Sequence, residues 1–405
     1  MPYDLLDGVK VIELSMYAFA PASAAVLSDW GADVVKVVPP GTADPMMGDR
    51  VIGALPKVDT GVKFMWENLN RGKRCLCIDV STPEGRDLLH RLIEQTDVFI
   101  TNLLPDARKR FGLDYETLAA INPRLVYGRA SGHGAEGPER EAGGFDHTDF
   151  WARCGIGHTV ASTVGEFVPQ PGPAMGDVSA GATLAGAISA ALFKRERTGK
   201  GSLIDVSLLA TGIWMNGPAV LAAALYDVPT IPRFNHADQP NPLVTAYTSK
   251  DGRDIYFAGI QTEKNWAEIC DILECPELVS DPRFATGELR LENVRECIAA
   301  LDVAFAKQDL EYWLPRLERC PVPWSLVQSS REALNDPQVV ANGMVTTIEG
   351  DARSYPVAAS PAQVDGKALT QTRAPQHGEH TEVVLMEYGL EWDEIEALKK
   401  AGAVN

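Results

Sequence analysis

The 405-residue sequence is short of positive charge: 37 Lys and Arg stand against 55 Asp and Glu, for a formal net charge of -18. Neutralising a phosphate backbone needs a broad basic surface, so a nucleic-acid partner is not expected. An anionic ligand would need a local basic pocket instead. The seven cysteines are odd in number, and none stands in a CxxC pair or near a histidine at zinc-finger spacing. Neither a disulfide framework nor a metal is expected; the pattern reads as reduced structural thiols in a cytoplasmic protein. No positively charged start leads into an apolar run, so no signal peptide is expected. The most apolar helical stretch, residues 178–193, is shorter than the roughly 20 apolar residues that cross a membrane and reads as a buried core helix. No membrane partner is expected.

Several catalytic signatures are also missing. The first turn after a strand reads Ser15-Met16-Tyr17-Ala18-Phe19-Ala20-Pro21, without the GxGxxG that lets a backbone approach a pyrophosphate. There is no Walker A loop and no GxSxG elbow, and the histidines are scattered. His377 and His380 form only an HxxH, which reads as a surface loop entering a helix.

What is present is a regular alternation. Residues 8–14 read as a buried strand, 21–30 as a helix stopped by Gly31, and 34–38 as a second strand. Strands at 75–79, 98–101 and 125–127 alternate with helices at 82–95 and 115–121. That spacing predicts an α/β fold with an open parallel sheet covered on both faces. Residues 128–177 are rich in Gly and Pro and read as irregular functional surface. A helix at 178–193, a strand at 203–206 and a long helix at 208–225 follow. The organisation expected is a large domain begun by residues 1–225, a Pro-rich linker at 226–244, a smaller α+β domain at 245–320, and a linker and return at 321–405. A hairpin at 247–258 and helices near 266–273, 290–306 and 310–319 build the smaller domain. Helices at 380–388 and 392–401 close the chain.

Asp177 is the one carboxylate whose setting points to chemistry. It ends the irregular stretch after Gly176, at the mouth of an apolar, small-residue helix whose dipole favours an anion. It either caps that helix through a hydrogen bond to a free N–H or carries a reaction.

The runs Leu6-Asp7-Gly8-Val9-Lys10-Val11-Ile12-Glu13-Leu14, Gly31-Ala32-Asp33-Val34-Val35-Lys36-Val37, Asn70-Arg71-Gly72-Lys73-Arg74, Gly132-His133-Gly134 with Gly137-Pro138, and Met175-Gly176-Asp177 resemble the class III CoA-transferases, the formyl-CoA and carnitine CoA-transferase family. The elements occur in the family's order across essentially the whole chain. The resemblance implies a Rossmann-like large domain, a smaller α+β domain, and an interlocked homodimer. It implies that Asp177 is the catalytic nucleophile, passing through a mixed anhydride and an aspartyl-CoA thioester. Coenzyme A would be part of the substrate, with no permanently bound cofactor, and the partners would be an acyl-CoA and a carboxylic acid.

Carried across, the family's CoA contacts fall on Ala18 and Phe19, on Ile78 and Asp79 at the adenine edge, and on Asn102, Leu103, Ala107 and Arg110 along the pantetheine and phosphate path. Ser131 replaces a lysine, and Pro39 an arginine, of the formyl-CoA enzymes, so Lys73, Arg74, Arg108 and Lys109 are alternative sources of positive potential. The glycine-rich loop of those enzymes is absent near Gln239-Pro240-Asn241-Pro242, which argues against formyl-CoA. Racemases of the same fold need a proton-moving pair, but Phe145 and Gln261 stand at those positions and neither is a base. The Gly144-Phe145-Asp146-His147-Thr148 segment is similar to members acting on 2-hydroxy acids and their enoyl products, such as cinnamoyl-CoA:phenyllactate CoA-transferase. Phe145, Phe150 and Trp151 are candidates for an apolar acyl pocket.

Overall fold

The structure, a computed structural model, describes residues 3–41, 44–48, 58–166, 168–260 and 262–405. Runs of Val and Ile give the first strands, β1 (Lys10–Leu14) and β2 (Asp33–Val38), joined by the Ala-rich helix α1 (Phe19–Asp29). Branched side chains suit a pleated surface, and strands buried on both faces need no polar alternation. Strands β3 (Arg74–Cys77), β4 (Val98–Thr101), β5 (Val126–Ser131) and β6 (Ser202–Ser207) complete the sheet. Among the described residues the order is β3-β2-β1-β4-β5-β6, with every pair parallel. This is a doubly wound sheet whose strand order reverses between β1 and β4.

Helices cover both faces. Besides α1 they include α2 (Phe64–Asn70), α3 (Pro83–Ile93), α4 (Pro105–Arg110) and α5 (Tyr115–Ile121). Thr82 caps α3 by accepting from Gly85 N, and Asp114 caps α5 by accepting from Thr117 N. Ile12, Val35, Phe99 and Tyr127 point to the face packed by Leu88, Leu89 and Leu118. Val11, Val34, Val98 and Ile100 point to the opposite face, against Leu27, Leu184 and Ile188.

Residues 128–177 hold more regular structure than their composition suggests. A wide, π-type helical turn spans Asp146–Arg153, and α6 spans Ile156–Val164. Next comes α7, Met175–Thr198, ended by Gly199 at φ 70°. Among the described residues, α7 is the helix long and apolar enough to cross a membrane. Here Ala180, Leu184, Ala185 and Ile188 are instead buried in the sheet core. Its backbone lies close to α1, because a Cβ on Gly181 would sit 2.7 Å from Ala22 Cβ and 3.0 Å from Ser23 N. The long helix expected at 208–225 is two, α8 (Leu208–Met215) and α9 (Gly217–Tyr226), bent by 66°. Pro218 explains the break, since its ring clashes with the preceding turn and it donates no hydrogen bond.

The chain divides into two compact units. Met1–Gly157, Pro169–Leu225 and Asp336–Asn405 form one, and His158–Val168 with Tyr226–Asn335 the other. In the second, Ala246–Thr248, Asp254–Phe257 and Trp324–Leu326 make a three-stranded antiparallel sheet. Its core stacks Tyr247 on Phe305, with centroids 5.0 Å apart and planes at 11°. Sequence closes this unit at 320, but the Trp324–Leu326 strand extends it. A three-residue strand carries too little periodicity to be read in advance. All seven cysteines are free thiols, and Cys320 alone of them is only partly buried.

Candidate active site

In a doubly wound sheet, ligands bind outside the carboxyl ends of the strands where the order reverses. Here that is the crevice between the loops after β1 and β4. The two loops are tied by Asn102, whose Nδ2 donates to Met16 O at 2.6 Å while its Oδ1 accepts from Met16 N at 3.1 Å. Tyr17, next in the chain, has φ 66° and meets Phe145 edge-on at 5.4 Å. A non-glycine residue in this region is strained, and such strain collects at functional sites.

The loop is also held from below. Glu13, fully buried at the end of β1, accepts from Lys36 Nζ at 2.8 Å, Lys73 Nζ at 2.6 Å and Ser15 Oγ at 2.6 Å. Lys36 also donates to Ser15 O at 3.0 Å and lies 3.4 Å from Asp44. Burial works against the Glu13 anion, but the two ammonium groups outweigh it and hold its pKa near about 2. Lys73 moves the other way, to about 8, because burial and the neighbouring Lys36 outweigh its share of Glu13. Lys73 and Arg74 are therefore not free cations for a ligand: Arg74 pairs with Asp33 and Glu387. Lys109 is exposed on α4. His377 pairs with Pro39 O at 3.0 Å and His380 Nδ1 accepts from Cys75 N at 3.2 Å, so both brace the chain.

A cleft of about 530 Å³ opens at the crevice. Asp177 lines it, together with Tyr17, Phe145 and the Gly132, Gly143 and Gly144 backbones. Helix α7 starts at Met175 and its N-cap position is Ala174, at φ 59° and ψ 21°. Asp177 is thus the third residue inside the helix, not its cap, and among the described residues no hydrogen bond or ion pair reaches its carboxylate. Burial first, and then the charge of Asp146, raise its pKa from 3.8 to about 7. The helix N-terminus favours the anion and acts in the opposite direction. Asp146 is fixed by His147 Nδ1 at 2.7 Å and by Gln170 Nε2, which donates at 2.7 Å. Gly176 lets this happen: a Cβ there would lie 2.5 Å from Phe150 Cγ.

The remaining sequence candidates divide. Phe19, Asn102, Leu103, Ala107 and Ser131 line the main cleft. Ile78 and Asp79 line a second cleft of about 230 Å³, which shares Met16 and Leu103 with the first. Ala18 is buried behind the wall at 4% exposure. Arg110 lines neither cleft; its guanidinium lies over the Phe111 ring at 4.6 Å, and Arg108 faces the main cleft instead. Of the three aromatic candidates only Phe145 is on the wall. Phe150 and Trp151 are buried at 1% and 5% exposure, and Phe150 packs on Gly176. Phe150 supports α7, Trp151 packs against Gly157 of α6, and neither lines the cleft. Gln261 lies outside the described residues. The stretch from Gly132 to Gly137 has GxGxxG spacing, but it follows β5 and opens no helix, so it lacks the setting of a dinucleotide site.

Sequence reasoning passed over Arg129, Arg140 and the Gly143–Gly144 amides as site features. The N–H groups of Gly143 and Gly144 have no hydrogen-bond partner among the described residues and border the cleft. Donors of that kind can receive a developing oxyanion. Among the described residues no group of three His, Cys, Asp or Glu is placed to hold a metal ion.

The fold and site define a doubly wound α/β protein with a ligand crevice at the strand-order reversal and, in its wall, the Asp177 carboxylate, which no hydrogen bond or ion pair among the described residues reaches. Residues 6–381 match the model of CoA-transferase family III, and the chain belongs to that family; it is a CoA-transferase. It is 32% identical to the (R)-2-hydroxy-4-methylpentanoate CoA-transferase of Clostridioides difficile, over 99% of each chain. It is 29% identical to the cinnamoyl-CoA:phenyllactate CoA-transferase of Clostridium sporogenes, over 98% of this chain and 96% of that one. A CAIB/BAIF family protein from Brucella suis superposes with a TM-score of 0.81 at 29% identity, over 95% of this chain and 99% of that one.

Proposed function

We propose that the protein moves CoA from an acyl-CoA to a 2-hydroxy, enoyl or aryl carboxylic acid, with Asp177 as the nucleophile. A carboxylate oxygen of Asp177 attacks the donor thioester carbon; the C–S bond breaks, giving a mixed anhydride and the CoA thiolate. The thiolate attacks the aspartyl carbonyl, the C–O bond breaks, the donor acid leaves, and an aspartyl-CoA thioester remains. The acceptor carboxylate attacks that thioester, re-forming an anhydride and the thiolate. Attack of the thiolate on the acceptor carbonyl then gives the new acyl-CoA and returns the Asp177 carboxylate. The Gly143 and Gly144 amides are the donors proposed for the tetrahedral oxyanions.

The observation that carries this reading is the Asp177 carboxylate, on the cleft wall with no hydrogen bond or ion pair among the described residues occupying its oxygens. A carboxylate used only for structure would be paired. In this reading CoA lies with its adenine in the Ile78–Asp79 cleft and its pantetheine along Phe19, Asn102, Leu103, Ala107 and Ser131. The two relatives whose names specify 2-hydroxy and cinnamoyl acids support the substrate class.

Self-association as an interlocked homodimer in the cytoplasm completes the proposal. Self-association, though not the interlocking or the compartment, is supported by the exposed apolar residues of α8 and α9: Trp214 is 85% exposed, Leu221 60% and Leu225 69%. Replacing Asp177 by Ala is expected to abolish exchange between an acyl-CoA and a free acid while circular dichroism stays unchanged. Undiminished exchange refutes the nucleophile. An acyl-CoA racemase would instead wash solvent deuterium into the α-carbon without any acid acceptor, and a non-catalytic CoA-binding protein would do neither.

A further inference from the structure

The main cleft has basic side chains that the reaction scheme does not use. Three arginines line it: Arg108, Arg129 and Arg140. Arg129 is consumed by a bidentate pair with Asp205 across β5 and β6, its Nη2 lying 2.8 Å from Oδ2. Arg140 pairs with its exposed neighbour Glu141 at 3.2 Å. Arg108 is different. It is only 7% exposed, yet among the described residues its side chain makes one hydrogen bond, from Nη1 to Leu103 O at 2.7 Å, and no ion pair.

Arginine stays protonated in proteins, so this is a buried charge without a counter-ion. Buried charges are normally paired, because desolvation is otherwise uncompensated. The acidic side chains that act on it are Asp205 and Glu141, which are already engaged by Arg129 and Arg140. The Arg108 guanidinium keeps N–H groups for a ligand in the same cleft as Asp177. One main-chain contact does not account for a full charge placed there.

We propose that Arg108 is a specificity-determining residue that binds an oxyanion of the substrate other than the reacting carboxyl. This rests on the CoA-transferase reading of the cleft. The oxyanion comes either from the phosphates of CoA or from a second carboxylate on the transferred acid, and planar guanidinium suits both. Arg110, two residues on, lines neither cleft and lies over the Phe111 ring instead.

Arg108→Met and Arg108→Lys separate the possibilities, with thermal unfolding measured on each. Affinities for coenzyme A, 3′-dephospho-coenzyme A and pantetheine are taken by calorimetry, and KM for acceptor pairs such as glutarate and butyrate by exchange assay. Removing one partner of a buried, hydrogen-bonded charge pair weakens binding by roughly 30-fold or more. A loss of that size for coenzyme A but not pantetheine assigns the anion to phosphate. A loss for glutarate but not butyrate assigns it to a second carboxylate. The Arg108→Lys variant, which keeps the charge but not the planar fork, should recover part of either loss. Binding and KM within twofold of wild type for every probe, in a folded Arg108→Met, overturns the proposal and leaves the arginine as a brace for Leu103. If Arg108→Met does not fold, Arg108→Gln, which keeps an N–H donor but no charge, decides by the same comparison. The CoA-transferase reading stands or falls separately, on loss of exchange in the Asp177 variants.

Discussion

An Asp177→Asn variant is expected to be more stable than wild type at high pH, and inactive. The carboxylate titrates near 3.8 in an unfolded chain and at about 7 in the folded one, because it is buried and lies near the charge of Asp146. Between those values the unfolded state loses the proton while the folded state keeps it, so wild-type stability falls as pH rises from about 4 to about 7 and then levels. A shift of about 3 units corresponds to about 4 kcal/mol. The helix N-terminus, which favours the anion at the third position of α7, offsets roughly 1–2 kcal/mol of this. Asparagine does not titrate. The variant should therefore match wild type near pH 4 and exceed it by about 2–3 kcal/mol at pH 8. The assay is chemical denaturation of both proteins across pH 4–8, with exchange activity measured alongside. A variant no more stable than wild type at pH 8, or a difference that does not change with pH, refutes the account of Asp177 as an unpaired, poorly solvated anion.

Three other outcomes follow from the same geometry. Asp146→Asn removes the charge that raises Asp177, so the acidic limb of the kcat/KM profile should move to lower pH; an unchanged limb disconnects the two groups. Gly176→Ala places a Cβ 2.5 Å from Phe150 Cγ, so overpacking should destabilise the fold by about 1–3 kcal/mol and reduce kcat by moving Asp177, read by denaturation and exchange kinetics. Glu13→Gln leaves Lys36 and Lys73 without their shared carboxylate and should cost about 3–5 kcal/mol by denaturation. In wild type the Glu13 contribution is complete above about pH 4.5 and is lost as pH falls through about 2, because its folded pKa is depressed.

Much of the sheet is legible in the sequence because its strands are short runs rich in Val and Ile with Gly or Pro nearby, as at β1 and β2, where single charges, Glu13 and Lys36, interrupt the run. The site is legible only in part. An acidic residue in the first turn of a helix is favoured whether it caps or catalyses, so Asp177 stays ambiguous until Ala174 is seen at the cap. Phe150 and Trp151 have the composition of a pocket wall, but one turn of helical geometry puts them into the core while Phe145 remains on the surface. Arg108 and Arg110 differ by two residues, about 200° around a helix, so the basic run alone does not say which faces the ligand. Lys73 and Arg74 look like a surface patch in sequence. Their carboxylate partners lie 60 and 41 residues away in Glu13 and Asp33, and only the fold brings them together.

The nucleophilic role of Asp177 is tested most directly by trapping its intermediate. Wild-type protein is incubated with an acyl-CoA donor without acceptor, quenched in acid and digested, and the peptide containing Asp177 is weighed by mass spectrometry. The account predicts a CoA adduct on that peptide that disappears when an acceptor acid is added before the quench. Full exchange activity with no adduct on Asp177, or an adduct carried by another residue, contradicts it.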